Sequence, residues 1–118
     1  MRVALLALPG SMRSALAGLV DMFWLANQVI MLNPSVNPEI SRDTPFFDVR
    51  TITADGKPVR DVQGRIIESD GSFNEPDNFG LIIASGMQLD EQRYPVDRAA
   101  VLSAASWLKL KYSEGSCI

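Results

Sequence analysis

Two short apolar runs, each followed at once by a glycine-containing turn, constrain the fold of this chain more than any other feature. Residues 3–8 precede a Pro-Gly turn, and residues 79–84 precede a Ser-Gly turn. A strand that is covered on both faces of a sheet needs apolar side chains on both of its sides, which is the situation in a parallel sheet. The two runs therefore predict two buried strands of a parallel sheet.

The segments that follow the two turns have helical periodicity. Residues 12–32 are predicted to form a helix, which Asn33 and Pro34 end because proline disfavours helix in the residue before it. Asp97 is suited to cap a second helix that runs to about residue 111. The inner stripes are predicted at Leu16, Leu19, Val20, Phe23 and Ile30 of the first helix and at Val101, Ala104, Ala105 and Leu108 of the second.

The remaining segments complete an α/β pattern. Residues 33–45 contain three prolines and are predicted to form an irregular loop, residues 46–53 a strand, and residues 57–67 a hairpin that turns near 61–64. Residues 69–78 are polar and rich in turn formers, and the residues after 112 would begin a further strand and the corner that follows it. This order predicts an open, mainly parallel sheet with helices on both faces.

Composition excludes several classes of function. The net charge is −3, from 11 basic and 14 acidic residues, and no basic stripe is present that would hold a nucleic acid backbone. The chain has no histidine and one cysteine, so it holds no Ser-His or Cys-His pair and no zinc cluster, and we expect no metal and no cofactor. The apolar stretch of residues 16–32 carries Asp21, Asn27 and Gln28, which a membrane span would avoid. We expect a cytoplasmic protein.

In an open α/β sheet, ligands bind beyond the carboxyl ends of the strands. We therefore expect three segments to meet there and to form a ligand site, and its predicted residues are Pro9, Gly10, Met12, Ser85, Gly86, Met87 and Cys117. The glycines permit a close approach of backbone amides to an oxyanion or carboxylate. Cys117 can serve there as a nucleophile, as a thiol that lines the pocket, or as a small buried residue.

Four stretches, taken in their order and spacing, resemble the ThiJ/PfpI superfamily of class I glutamine amidotransferase-like domains, and more narrowly the sensory domains of AraC-type transcriptional regulators. They are RVALLALPG (2–10), AGLVDMFWLAN (17–27), FGLIIASG (79–86) and EGSCI (114–118). The resemblance implies a flavodoxin-like sheet and a homodimer. It also implies that residues 1–118 are the N-terminal part of such a domain, cut at the nucleophile elbow, and that a C-terminal helix-turn-helix domain is not present.

The chain departs from the family pattern at a position that the family enzymes use for catalysis. Family enzymes carry a glutamate on the first helix that supports the nucleophilic cysteine, and Ala15 occupies that position here. The resemblance therefore implies a non-catalytic domain that senses a small-molecule effector, with DNA bound only by the C-terminal domain. The alternatives are an enzyme of the superfamily that uses Cys117, such as a hydratase, an amidase or a glyoxalase-like hydrolase, and a structural or dimerisation module without a ligand.

Overall fold

A computed structural model describes residues 1–33, 45–76 and 78–118 of the chain. Within them, the elements are β1 (Arg2–Leu6), α1 (Arg13–Met31), β2 (Asp48–Thr53), β3 (Val59–Arg60), β4 (Ile66–Ile67), β5 (Gly71–Ser72), β6 (Leu81–Ala84) and α2 (Arg98–Ser113). Four strands form one parallel sheet in the order β5-β2-β1-β6, and β3 pairs with β4 in a separate antiparallel hairpin. The predicted open, mainly parallel, flavodoxin-like α/β architecture is confirmed.

Strand β1 lies at the centre of the sheet, and its side chains alternate between two cores. Val3, Leu5 and Ala7 belong to the same buried cluster as Leu16 and Phe23 of α1. Ala4 and Leu6 of β1, together with Leu8 beyond its end, pack on the α2 side, in a cluster with Ile52, Phe79, Ile82, Ala104 and Trp107. Because successive side chains of a strand point to opposite faces, a run that is apolar at every position is what a sheet between two helices requires.

Helix α1 is bound to the start of β2 by one side chain. The carboxamide of Asn27 donates from Nδ2 to the Phe47 carbonyl at 2.9 Å and accepts at Oδ1 from the Phe47 amide at 2.9 Å. Leu16 and Phe23 are buried as predicted, and Leu19 packs against them, whereas Val20 is 42% exposed, so its predicted inner position is wrong. Val20 lies at the flank of the stripe, and the helix contacts the sheet over a narrower arc than the prediction assumed.

The outward side of α1 is also apolar, with Trp24, Leu25 and Val29 more than half exposed. By length and composition, α1 is the one helix of the described residues that could cross a membrane, although core helices and signal sequences meet the same criterion. Here Leu16 and Phe23 pack α1 onto the sheet.

Helix α2 begins as predicted, because Oδ1 of Asp97 accepts a hydrogen bond from the Ala100 amide at 3.0 Å. Its buried residues are Ala104, Trp107 and Lys111, whereas the predicted inner residue Ala105 is exposed. The buried stripe of α2 is rotated from the predicted one because the Trp107 ring stacks on the Phe73 ring, with the ring centroids 4.4 Å apart and an interplanar angle of 8°. The indole Nε1–H also donates to the Phe73 carbonyl at 3.1 Å.

Two further predictions concern the segment between β2 and β6. The hairpin predicted at residues 57–67 is confirmed by the antiparallel pairing of β3 with β4. The polar segment after it contains strand β5, which pairs with Ile52 and Thr53 at the edge of the sheet and which the sequence did not predict. The loop predicted at residues 33–45 lies mostly outside the described residues.

Candidate functional site

The turn between β1 and α1 is the centre of the carboxyl edge of the sheet. Gly10 has φ +85°, a conformation that glycine adopts without strain. The next residue, Ser11, is 1% exposed, and its Oγ accepts a hydrogen bond from the Leu8 amide at 2.9 Å. The Ser11 amide in turn donates to the Leu8 carbonyl at 3.0 Å. These bonds hold the chain in a compact reversal from the strand into the helix.

Two other segments are hydrogen-bonded to this turn. On the β6 side, the Met12 amide donates to the Gly86 carbonyl and the Gln88 amide donates to the Gly10 carbonyl, both at 2.9 Å. On the hairpin side, the Gly10 amide donates to the Arg60 carbonyl at 2.9 Å. The predicted residues from Pro9 to Met12 and from Ser85 to Met87 are thus brought together, as expected.

Ser85 and Gly86 follow the end of β6 at this edge. The Ser85 hydroxyl is buried and has no hydrogen-bond partner among the described residues, which is uncommon for a buried polar group. A Cβ atom added to Gly86 would lie 3.6 Å from Cγ of Met12, in ordinary van der Waals contact. The junction between the two strand ends is therefore closely packed, with one hydroxyl left unsatisfied.

The turn of the β3–β4 hairpin is organised by one buried carboxylate. The side chain of Asp61 is 1% exposed, and its Oδ1 accepts from the amides of Gln63 at 2.8 Å and Arg65 at 2.9 Å. Its Oδ2 accepts from Nε of Arg13 at 2.8 Å. The hydrogen bond from Arg13 lowers the pKa of Asp61 below its ordinary value, the two amides add to this, and burial opposes it. The ion pair ties the hairpin to the first turn of α1.

A cavity of about 350 Å³ lies between the first turn of α1 and this hairpin. It is lined by Met12, Arg13, Ser14, Ala17, Asp61, Val62, Gln63 and Arg65. Of these, only Met12 was predicted from the sequence. The sequence does contain one indication of the ion pair between Arg13 and Asp61. A cation in the first turn of a helix interacts unfavourably with the helix dipole, so Arg13 is expected to have an acidic partner.

Cys117 does not join this group. Its amide donates to the Gly80 carbonyl at 3.0 Å, and its carbonyl accepts from the Ile82 amide at 2.8 Å, so it pairs in parallel with Leu81 at the start of β6. Ser85 lies four residues further along, a distance of about 13 Å. The expected convergence of Cys117 with the other predicted residues, and its placement at a strand-to-helix corner, are therefore wrong. After α2 the chain turns at Gly115, with φ +101°, and enters the sheet at the amino end.

The exposed thiol of Cys117 and the buried carboxylate of Asp61 thus belong to different edges of the molecule. In the described part of the chain, no three His, Cys, Asp or Glu side chains are grouped in a way that would hold a metal ion. The carboxyl edge offers instead backbone turns, a hydroxyl, two arginines and an adjoining cavity. Such an arrangement binds and orients a small molecule more readily than it activates a nucleophile.

Comparison with known proteins supports the fold. No family model matches the chain, and no curated protein matches its sequence. A solved structure from Vibrio parahaemolyticus, named "a putative transcriptional regulator protein", superposes with a TM-score of 0.61 at 15% sequence identity. The match covers 98% of this chain and 53% of that one, so the chain spans about half the length of its structural neighbour.

Proposed function

We propose that this chain is the ligand-sensing, non-catalytic part of a transcriptional regulator of the AraC type with a ThiJ/PfpI-like domain. The observation that carries the proposal is the meeting of the β1–α1 turn, the β3–β4 hairpin and the loop after β6 at one edge, beside a cavity. In open α/β sheets this edge is where ligands bind. The structural neighbour named as a regulator supports the same function by analogy of fold.

Among the residues that the structure describes, those that cysteine catalysis would need are not assembled at that edge. Nucleophilic catalysis by cysteine needs a base within hydrogen-bond reach and a third group that orients the base. The chain has no histidine, Ala15 stands where the resemblance places a glutamate, and Cys117 pairs at the opposite end of β6. A binding role requires none of these groups. The geometry therefore favours a sensor over an enzyme that uses Cys117.

The proposal includes the partners that the resemblance implies. The effector is a small molecule, the protein is a cytoplasmic homodimer, and DNA is bound by a C-terminal helix-turn-helix domain outside these 118 residues. The exposed apolar side chains of Trp24, Leu25 and Val29 on α1 support a second copy as the occupant of that face. Binding of the effector would then alter how two copies are arranged, and so how DNA is engaged.

Thermal denaturation of the chain in the presence of single metabolites tests the proposal. A ligand present at a hundred times its dissociation constant stabilises the folded state by about 2.7 kcal/mol, which is readily measured. We expect at least one metabolite to stabilise the chain and to shift the backbone NMR signals of the carboxyl edge, in the native protein and in Cys117→Ala alike. Stabilisation by no metabolite would favour a structural module, and a response that requires the thiol would favour an enzyme.

A further inference from the structure

We propose that the cavity between α1 and the β3–β4 hairpin binds a small amphipathic carboxylic acid, with its carboxylate on Arg65 and Arg13 and its apolar part on Met12, Ala17 and Val62. The inference deepens the proposed function, on which it rests, because it assigns the chemical class of the effector. It also places the effector at a site to which the sequence prediction contributed only Met12.

The cationic side of the cavity has capacity for an anion. The guanidinium of Arg65 makes no hydrogen bond or ion pair with the described residues. Arg13 uses Nε for Asp61 and Nη2 for the carbonyl of Ile66, while its Nη1 makes no hydrogen bond or ion pair with described residues and 46% of its side chain is exposed. Two arginines and one aspartate line the cavity, so its lining carries a net charge of about +1, which matches a monoanion.

Asp61 does not oppose this binding as an exposed carboxylate would. Its two oxygens already accept three hydrogen bonds, from Arg13 and from the amides of Gln63 and Arg65, and its side chain is 1% exposed. By fixing the Arg13 side chain and the backbone of Arg65, Asp61 acts as a positioning residue. Groups that are held in place before the ligand arrives lose less conformational entropy on binding.

The rest of the lining is uncharged and partly apolar, and the volume of the cavity limits the size of the ligand. Met12, Ala17 and Val62 contribute hydrocarbon surface, while Ser14 and Gln63 add neutral polar groups. A volume of about 350 Å³ is at the lower end of the range for small-molecule sites. A strongly hydrated dianion such as phosphate would leave the apolar wall unused and would exceed the local charge. An organic acid with a short hydrocarbon or aromatic body fits both parts.

The test is an NMR titration of the whole chain with benzoate, and with benzamide as the neutral ligand of the same shape. Each titration is carried to millimolar concentrations, where weak binding is measurable. The variant is Arg65→Gln, which removes the unpaired cation while its backbone amide remains available to Asp61. The matched control is Lys57→Gln, which makes the same change in net charge at an exposed turn outside the cavity.

We expect benzoate to shift the amides of Arg13, Ser14, Gln63 and Arg65 in the native chain, and benzamide to shift them far less. Loss of a charge-assisted hydrogen bond should weaken benzoate binding at least about tenfold in Arg65→Gln, against less than about twofold in Lys57→Gln. Equal binding by both variants, equal shifts from benzamide, or the absence of shifts at these amides would overturn the inference. If the benzoate experiment fails but another metabolite stabilises the chain, the proposed sensing function still stands and only the inference about this cavity is wrong. If no metabolite stabilises the chain, both fail.

Discussion

Replacement of Gly10 by alanine should destabilise the protein through the backbone alone. Gly10 has φ +85°, and the nearest atom to an added Cβ would be Cβ of Gln88 at 3.8 Å, which is an ordinary contact. No clash therefore contributes, and the cost is that of holding an L-residue in the left-handed region, about 1–2 kcal/mol. For a chain of this length, each kcal/mol lowers Tm by about 4 °C. We expect Gly10→Ala to lower Tm by about 4–8 °C.

Gly18 provides the control, because the same substitution should there have the opposite sign. It lies inside α1, and a Cβ added to it would meet nothing within 4 Å. Alanine in place of glycine in a helix interior gains about 0.5–1 kcal/mol, so Tm should rise by about 2–4 °C. Thermal and urea denaturation followed by circular dichroism measure both changes. An unchanged or higher Tm for Gly10→Ala would refute the turn geometry at the centre of the site.

Three further predictions follow from single side chains. Trp107→Ala should lower the free energy of unfolding, measured by urea denaturation, by about 3–5 kcal/mol, because Trp107 is buried. Trp24→Ala truncates a residue that is 59% exposed and should lower it by less than about 1 kcal/mol. Similar losses in the two variants would contradict the assignment of Trp107 to the core. Because the pKa of Asp61 is lowered in the folded state, the ionised carboxylate contributes to the stability of the fold above about pH 4, and this contribution is lost as the pH falls through the folded-state pKa. Asp61→Asn should therefore reduce the dependence of stability on pH in the acid range. An unaltered acid profile would contradict the ion pair with Arg13. The exposed thiol of Cys117 should react with a thiol reagent without denaturant, and Cys117→Ser should change stability by less than about 0.5 kcal/mol, whereas protection of the thiol until unfolding would place it in the core.

The elements that local pattern determines were predictable. Strand β1 is recognisable as an apolar run because both of its faces are buried, and β6 because Ile82 packs in one core while Leu81 and Ile83 are partly buried against the other. Asp97 marks the start of α2 because a helix end needs an acceptor for its free amides. The junction of the β1–α1 turn with the loop after β6 followed from the rule that parallel strands end at a common edge. These inferences need no knowledge of distant partners.

What the sequence did not predict depends on contacts between distant segments. Strand β5 has two residues, a glycine and a serine, and forms only because it completes the edge of β2. Trp107 turns inward because Phe73, which follows β5, supplies a stacking surface. The cavity needs Arg13 and Asp61, which are 48 positions apart and are brought together by the hairpin. The sequence predicts Cys117 at the carboxyl end of its strand, whereas it lies at the amino end, beside Leu81. Local sequence does not reveal the register in which a strand enters a sheet.

The chemical fate of a bound ligand tests the central claim most directly. A metabolite that stabilises the chain is incubated with the native protein and with Cys117→Ala, and is then recovered and analysed by mass spectrometry. If the carboxyl edge is a sensor site, the metabolite is recovered unchanged in full from both proteins, after stabilising both to the same extent. Conversion of the metabolite by the native protein and not by Cys117→Ala would contradict the account.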